Sequence, residues 1–150
     1  MDRETALQNY KEEISEKISA FRSRMGDHVL KHAEDLEALV EKAMKLLGDQ
    51  MAKQEKEYVC FMYFSLLKTD LINRNYRVLL HGLDISWYMD NEPAEVYVDV
   101  KELFMPFDEL WNCLAAANQG YGGSVNDYDI RNLLFDELTI IDNMICQILR

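Results

Sequence analysis

From Leu7 to Met51 the chain places an apolar or small residue every three or four positions: Leu7, Tyr10, Ile14, Ile18, Phe21, Met25, Val29, Ala33, Leu36, Val40, Met44, Leu47 and Met51. The average step is about 3.7 residues, the period of a nearly straight helix rather than of a left-handed coiled coil. Charged residues fill the other faces, with Glu13/Lys17 and Glu41/Lys45 at attractive i,i+4 spacing. Thr5 followed by Gln8 has the spacing of a weak capping box. Gly26-Asp27 lies inside the unbroken stripe and predicts a local bend. Gly48-Asp49 follows MKLL, with Lys45 in the last turn, and predicts a helix end. Helical pattern then resumes from about 50 to 73, so the first half is predicted to be a helical hairpin closed at Gly48, with one continuous helix as the alternative. The longest apolar run, YVCFMYFSLL at 58–67, reads as a buried core segment, because a bilayer span needs roughly twenty such residues.

After Asn73-Arg74-Asn75 the period changes. Residues 76–88 carry aromatic and β-branched side chains, Asp90-Asn91-Glu92-Pro93 is a turn, and Val96, Val98 and Val100 alternate strictly with polar or aromatic partners. This predicts a β-hairpin of about 77–88 with 94–100, with a bulge at Gly82. A lone hairpin is marginal in water, so its apolar face must rest on helices. Helical pattern returns at about 101–118, where Pro106 kinks or opens a helix. Gln119-Gly-Tyr-Gly-Gly is a loop, and Ser124 with Asp127 predicts the start of a last helix at about 125–149. The fold class is therefore mainly α, of the α+β type: a long N-terminal helical hairpin, a small β-hairpin near 77–100 and two C-terminal helices. The chain is read as one domain over 1–150, with a helical, oligomerising part at 1–73 and an acidic part at 74–150.

Charge sharpens that division. Residues 84–142 hold thirteen Asp and Glu against Lys101 and Arg131, a local charge equal to the −11 of the whole chain. Such a segment repels nucleic acid and anionic membranes. Aromatic residues in it, among them Trp87, Trp111 and Tyr121, sit beside carboxylates rather than beside Arg and Lys. That composition points to a basic protein partner and not to direct nucleic-acid binding. The opening residues are charged and no apolar leader segment follows, which predicts a cytoplasmic protein.

No catalytic or cofactor motif stands out. Cys60, Cys113 and Cys146 are odd in number, lack a CxxC spacing and lie in apolar surroundings, as reduced core cysteines do. His28 and His32 are spaced as two metal ligands on one helix face. HExxH is absent and Lys31 opposes a dication, so the pair is a weak metal candidate and surface histidines are the plainer reading. The loop 120–123 resembles an anion nest, but Asp127 and Asp129 follow it and no cation is near in sequence. Asn126, Asp127 and Asp129 lack the ligand spacing of an EF-hand loop. His81, in a strand context, has no nucleophile placed beside it by any motif.

Three function classes follow. The first is a non-enzymatic interaction protein, an adaptor, chaperone-like factor or inhibitor that docks a basic partner through residues 84–142; a DNA mimic is one subtype. The residues assigned to that surface are Asp84, Asp90, Glu92, Asp127, Asp129, Asp136, Glu137, Trp87, Trp111 and Tyr121, and lysines at 127, 129, 136 and 137 should weaken docking with little loss of fold. The second is a carboxylate- or metal-dependent enzyme without a recognisable motif. The third is an assembly subunit. A continuous stripe of about 45 residues would extend beyond a compact domain of this size, so Ile14, Ile18, Phe21, Met25 and Val29 are predicted to meet a second copy in a dimer.

Overall fold

The computed structural model describes residues 2–56, 60–86 and 89–148. Its elements are α1 (Arg3–Lys31), α2 (Ala33–Lys53), β1 (Phe61–Leu66), α3 (Lys68–Ile72), β2 (Arg77–Leu83), β3 (Ala94–Asp99), α4 (Met105–Asn118) and α5 (Asp127–Ile148). Short 3-10 turns cover Lys101–Phe104 and Gln119–Tyr121. The fold class is mainly α with one antiparallel sheet. Packing groups the chain into two compact units: residues 1–32 with 102–150, and residues 33–101. The packing boundary thus differs from the charge boundary near residue 84.

In the first unit α1 begins at Asp2, whose side chain accepts hydrogen bonds from the Thr5 backbone N–H at 2.9 Å and the Thr5 hydroxyl at 2.8 Å. These bonds hold the exposed Asp2 carboxyl below its usual range. The start therefore uses Asp2, not the predicted Thr5/Gln8 box; Gln8 instead donates to Glu12 at 2.8 Å. Gly26 lies within the helix and does not end it. Ala6, Tyr10, Ile14, Phe21, Met25 and Val29 form the buried stripe of α1. It meets Phe107, Leu110 and Leu114 of α4 and Ile130, Leu134, Leu138, Ile141 and Ile145 of α5 in one core. Pro106 opens α4 rather than kinking it, in the first turn where its missing N–H is not needed. α5 starts with a reciprocal box two residues beyond the predicted one. Asn126 N–H donates to Asp129 Oδ2 at 2.9 Å, and Asp129 N–H donates to Asn126 Oδ1 at 3.1 Å.

In the second unit the helix predicted to end at Gly48 runs through it to Lys53. The interruption of the N-terminal stripe falls instead at the single residue His32. α2 ends in a Schellman-type turn: Lys56 N–H donates to Met51 O at 3.1 Å and Glu55 N–H to Ala52 O at 3.3 Å, with Glu55 in the left-handed region at φ 56°. The second half of the predicted 50–73 helix is also corrected. Phe61–Leu66 is a strand, and the sheet has three strands in the order β1-β2-β3. Phe61 pairs with Leu83, Leu66 with Val78, Val78 with Val98 and Gly82 with Ala94. Gly82 is in regular register, so the predicted bulge is absent. Its role is to let α2 come close: a Cβ there would lie 3.0 Å from Leu47 Cδ2 and 3.4 Å from Met51 Sδ. Leu36, Ala43, Leu47 and Met51 cover the sheet face of Val78, Leu80, Ala94, Val96 and Val98. No helix among the described residues is long and apolar enough to cross a membrane.

Candidate functional site

The carboxylates singled out on α5 fall into two kinds. Asp129 and Glu137 are buried, at 8% and 2% exposure. Arg3 Nη2 donates to Asp129 Oδ1 at 3.0 Å. Arg22 grips Glu137 with two bonds, Nη2 to Oε1 at 2.8 Å and Nε to Oε2 at 2.9 Å. This hydrogen bonding to Glu137 raises the Arg22 pKa. Both acids are ion-paired to α1, because burying a carboxylate on the core side of a helix is costly unless it is hydrogen-bonded to a partner of opposite charge. The expectation that lysines at 129 and 137 spare the fold is therefore corrected. Asp127 and Asp136 are exposed.

Trp111 is half-buried, edge-on to Phe107 with centroids 6.3 Å apart. Tyr121 lies edge-on to the Tyr10 ring at 5.4 Å, and its hydroxyl donates to Glu13 Oε2 at 2.8 Å, which raises its pKa. Tyr10 donates in turn to the Leu114 carbonyl at 2.9 Å, and burial pushes its phenol up to about 12. Tyr10 and Tyr121 thus tie α1 to α4 and the turn that follows it. The predicted dimer stripe is likewise internal. Ile14, Phe21, Met25 and Val29 are buried and Ile18 is half-buried, so these side chains supply core rather than open surface. The imidazoles of His28 and His32 lie against each other, tilted by 47° with centroids 4.4 Å apart, and His28 Nε2 is 2.8 Å from the Glu102 carbonyl, bonding that commits this nitrogen as a donor. Among the described residues no group of three or more His, Cys, Asp or Glu is arranged to hold a metal ion.

The second unit brings three of the predicted acids together. Asp84, Asp90 and Glu92 belong to the loop that joins β2 to β3. Asp90 organises its base. Its Oδ2 accepts from Lys56 Nζ and, at 3.2 Å, from the Asp84 backbone N–H, while Oδ1 accepts from the Glu92 N–H at 3.1 Å. Lys56 also lies 4.0 Å from Asp84 Oδ2. Asp84 Oδ1 in turn accepts from the Ser86 N–H at 2.8 Å. The Lys56 side-chain hydrogen bond holds the Asp90 carboxyl below the ordinary range, outweighing the opposing desolvation. Pinned in this way, the loop presents Ile85 and Met89 to solvent at 75% and 82% exposure. Trp87 was assigned to the same surface and lies outside the described residues. Below the loop, His81 Nε2 is 3.1 Å from Glu95 Oε1 on the paired strand but out of line for a hydrogen bond.

Sequence reasoning missed Lys56, Ile85 and Met89 here, and Arg3 and Arg22 in the first unit. The apolar pair in an otherwise polar turn region was visible in the sequence, whereas the long-range cation partners carry no local signal. No family model, curated protein or solved structure matches this chain.

Proposed function

We propose that this chain is an interaction protein that docks a basic protein partner on the 84–93 loop. The observation that supports the reading is the loop's construction. A nearly buried Lys56–Asp90 pair fixes its base, and two large apolar side chains, Ile85 and Met89, stand exposed in the same loop as the exposed Glu92. Exposed apolar residues in a loop with a pinned base, together with the exposed Glu92, suit a segment that offers both an apolar anchor and Lys or Arg. The apolar part supplies contact area and the carboxylate supplies orientation and association rate. The surface proposed here is narrower than residues 84–142, because Asp129 and Glu137 are spent on Arg3 and Arg22.

The test is affinity capture with the whole chain and with Ile85→Asp/Met89→Asp, each at low and high salt. A basic protein retained by the parent chain, lost from the variant and weakened by salt is the expected result. Retention that ignores both the loop substitutions and the salt would sink the reading. Both replaced side chains are exposed, so the variant should keep its fold, with circular dichroism as the check.

A further inference from the structure

Two hydrogen bonds fix which way the backbone of β3 faces. Val100 N–H donates inward to Tyr76 O at 2.9 Å, while the Glu95 N–H points out of the sheet and is taken by Gln50 Oε1 of α2 at 3.0 Å. By the alternation of an antiparallel pair, Glu95, Tyr97 and Asp99 turn their N–H and C=O groups to the outer edge. Pro93, which has no N–H, and Gln50 close the start of that edge. Tyr97 lies beyond them at 50% exposure, and among the described residues no hydrogen bond reaches its N–H.

The two flanks of this edge differ in chemistry. The Gln50 bond shows which side of α2 borders it. Leu46 and Leu39 lie about one turn and about three turns before Gln50 on that side. They are 47% and 37% exposed. On the sheet face away from α2, Glu95 and Asp99 stand on either side of Tyr97. Asp99 is exposed, and the Glu95 side chain stays 41% exposed although His81 Nε2 lies 3.1 Å from it.

We infer that the β3 edge takes an extended segment of a basic protein partner as an added antiparallel strand, with basic and apolar side chains alternating along it. Tyr97 exchanges both backbone bonds with one residue of the segment, and such main-chain bonds give strand addition its affinity. The residues opposite Glu95 and Asp99 are Lys or Arg. Those between them turn to the α2 side and meet Leu46 and Leu39. Charge selects this occupant, since the carboxylates favour cations and a second copy brings its own −11. The inference rests on the basic partner proposed above and names the form of the segment it offers.

The probe is an end-blocked peptide of alternating Lys and Val, titrated into the whole chain, with hydrogen exchange read at the Tyr97 amide. In the inferred register the Lys N–H groups face β3 and the Val N–H groups face away. The peptide is expected to bind and to protect Tyr97. N-methylation at Lys is expected to weaken it about tenfold, as is a block order of the same residues, while N-methylation at Val leaves it unchanged. Leu46→Lys, at an exposed position, is expected to weaken it by a similar factor with circular dichroism unaltered. No binding, protection that maps away from Tyr97, or equal binding by the block or N-methyl-Lys peptide overturns the inference. So does a Leu46→Lys chain that binds as the parent does. Should Leu46→Lys unfold, Leu46→Gln serves with the same readings. Ile85→Asp/Met89→Asp leaves β3 intact and Leu46→Lys leaves the loop intact, so failure of one reading is told from failure of the other.

Discussion

Asp90 shows how much one side chain can decide. It is a single carboxylate with one lysine and two backbone N–H donors, and together these tie residues 84 and 92 of the loop to Lys56. Its charged form is the one that Lys56 and the N–H groups bind, so its pKa in the folded chain lies below the unfolded value of 3.8. For a depressed carboxyl, the stabilising contribution is fully present above the unfolded pKa and is lost as pH falls through the lower, folded one. The loop base should therefore hold through neutral and mildly acidic solution and open only below about pH 4. Hydrogen exchange at the Asp84 and Glu92 amides reads this directly. Their protection should be flat from pH 7 to 5, after correction for intrinsic exchange, and Asp90→Asn should remove much of it at all pH values. Protection that fades between pH 7 and 5 would mean that another group controls the loop.

At the level of elements, the α2 terminus separates what the sequence made legible from what it hid. Glycine after a periodic helix is the usual stop signal, yet Gly48 is mid-helix and exposed, with open space where a Cβ would go. The actual stop is Glu55, a left-handed residue with a side chain, held by its own Schellman bonds. Gly48→Ala should therefore stabilise the chain by about 0.5–1 kcal/mol through helix propensity. Glu55→Gly should also stabilise it, by about 1 kcal/mol, by relieving the left-handed strain. Urea denaturation checks both, and a loss of stability in Gly48→Ala would restore the helix end at that position. β3 was legible because one face is buried and the other is wet, so Val96 and Val98 alternate with Glu95 and Tyr97. β1 was not, because FMYFSL is apolar on both faces and short apolar runs do not distinguish strand from helix. Gly82 misled for a related reason: a glycine that admits a neighbouring helix looks, in sequence, like one that makes a bulge.

Across the whole chain, charge separation along the sequence is largely undone in the folded units. Glu109, Asp129 and Glu137 of the acidic segment face Arg24, Arg3 and Arg22 of α1, while Asp84 and Asp90 face Lys56. Every one of these cations precedes residue 84, and the partners are separated in sequence by 28 to 126 positions, which is why nothing local in the sequence paired them. Three carboxylates of the acidic segment thus pair with α1 and two with Lys56, and these five are committed within the fold. Two double variants distinguish these roles. Asp127→Lys/Asp136→Lys changes exposed positions and should cost below about 1 kcal/mol per site, chiefly from the helix dipole at residue 127. Asp129→Lys/Glu137→Lys makes the same change in net charge, but it buries lysines against Arg3 and Arg22 where carboxylates were paired. Arg3 and Arg22 are themselves 62% and 51% exposed, so breaking each pair costs less than breaking a fully buried one, about 1–2 kcal/mol. Placing a lysine beside each arginine adds like-charge repulsion, so this variant should lose a large part of the stability of an ordinary domain of this size. Because the two variants have equal net charge, a shared loss of stability would assign the effect to overall charge, and a loss confined to the second assigns it to the pairs. Arg22→Ala adds a control from the other side of one pair. It leaves the Glu137 carboxylate without its main partner and should cost about 1–2 kcal/mol, discounted because Arg22 is itself half exposed.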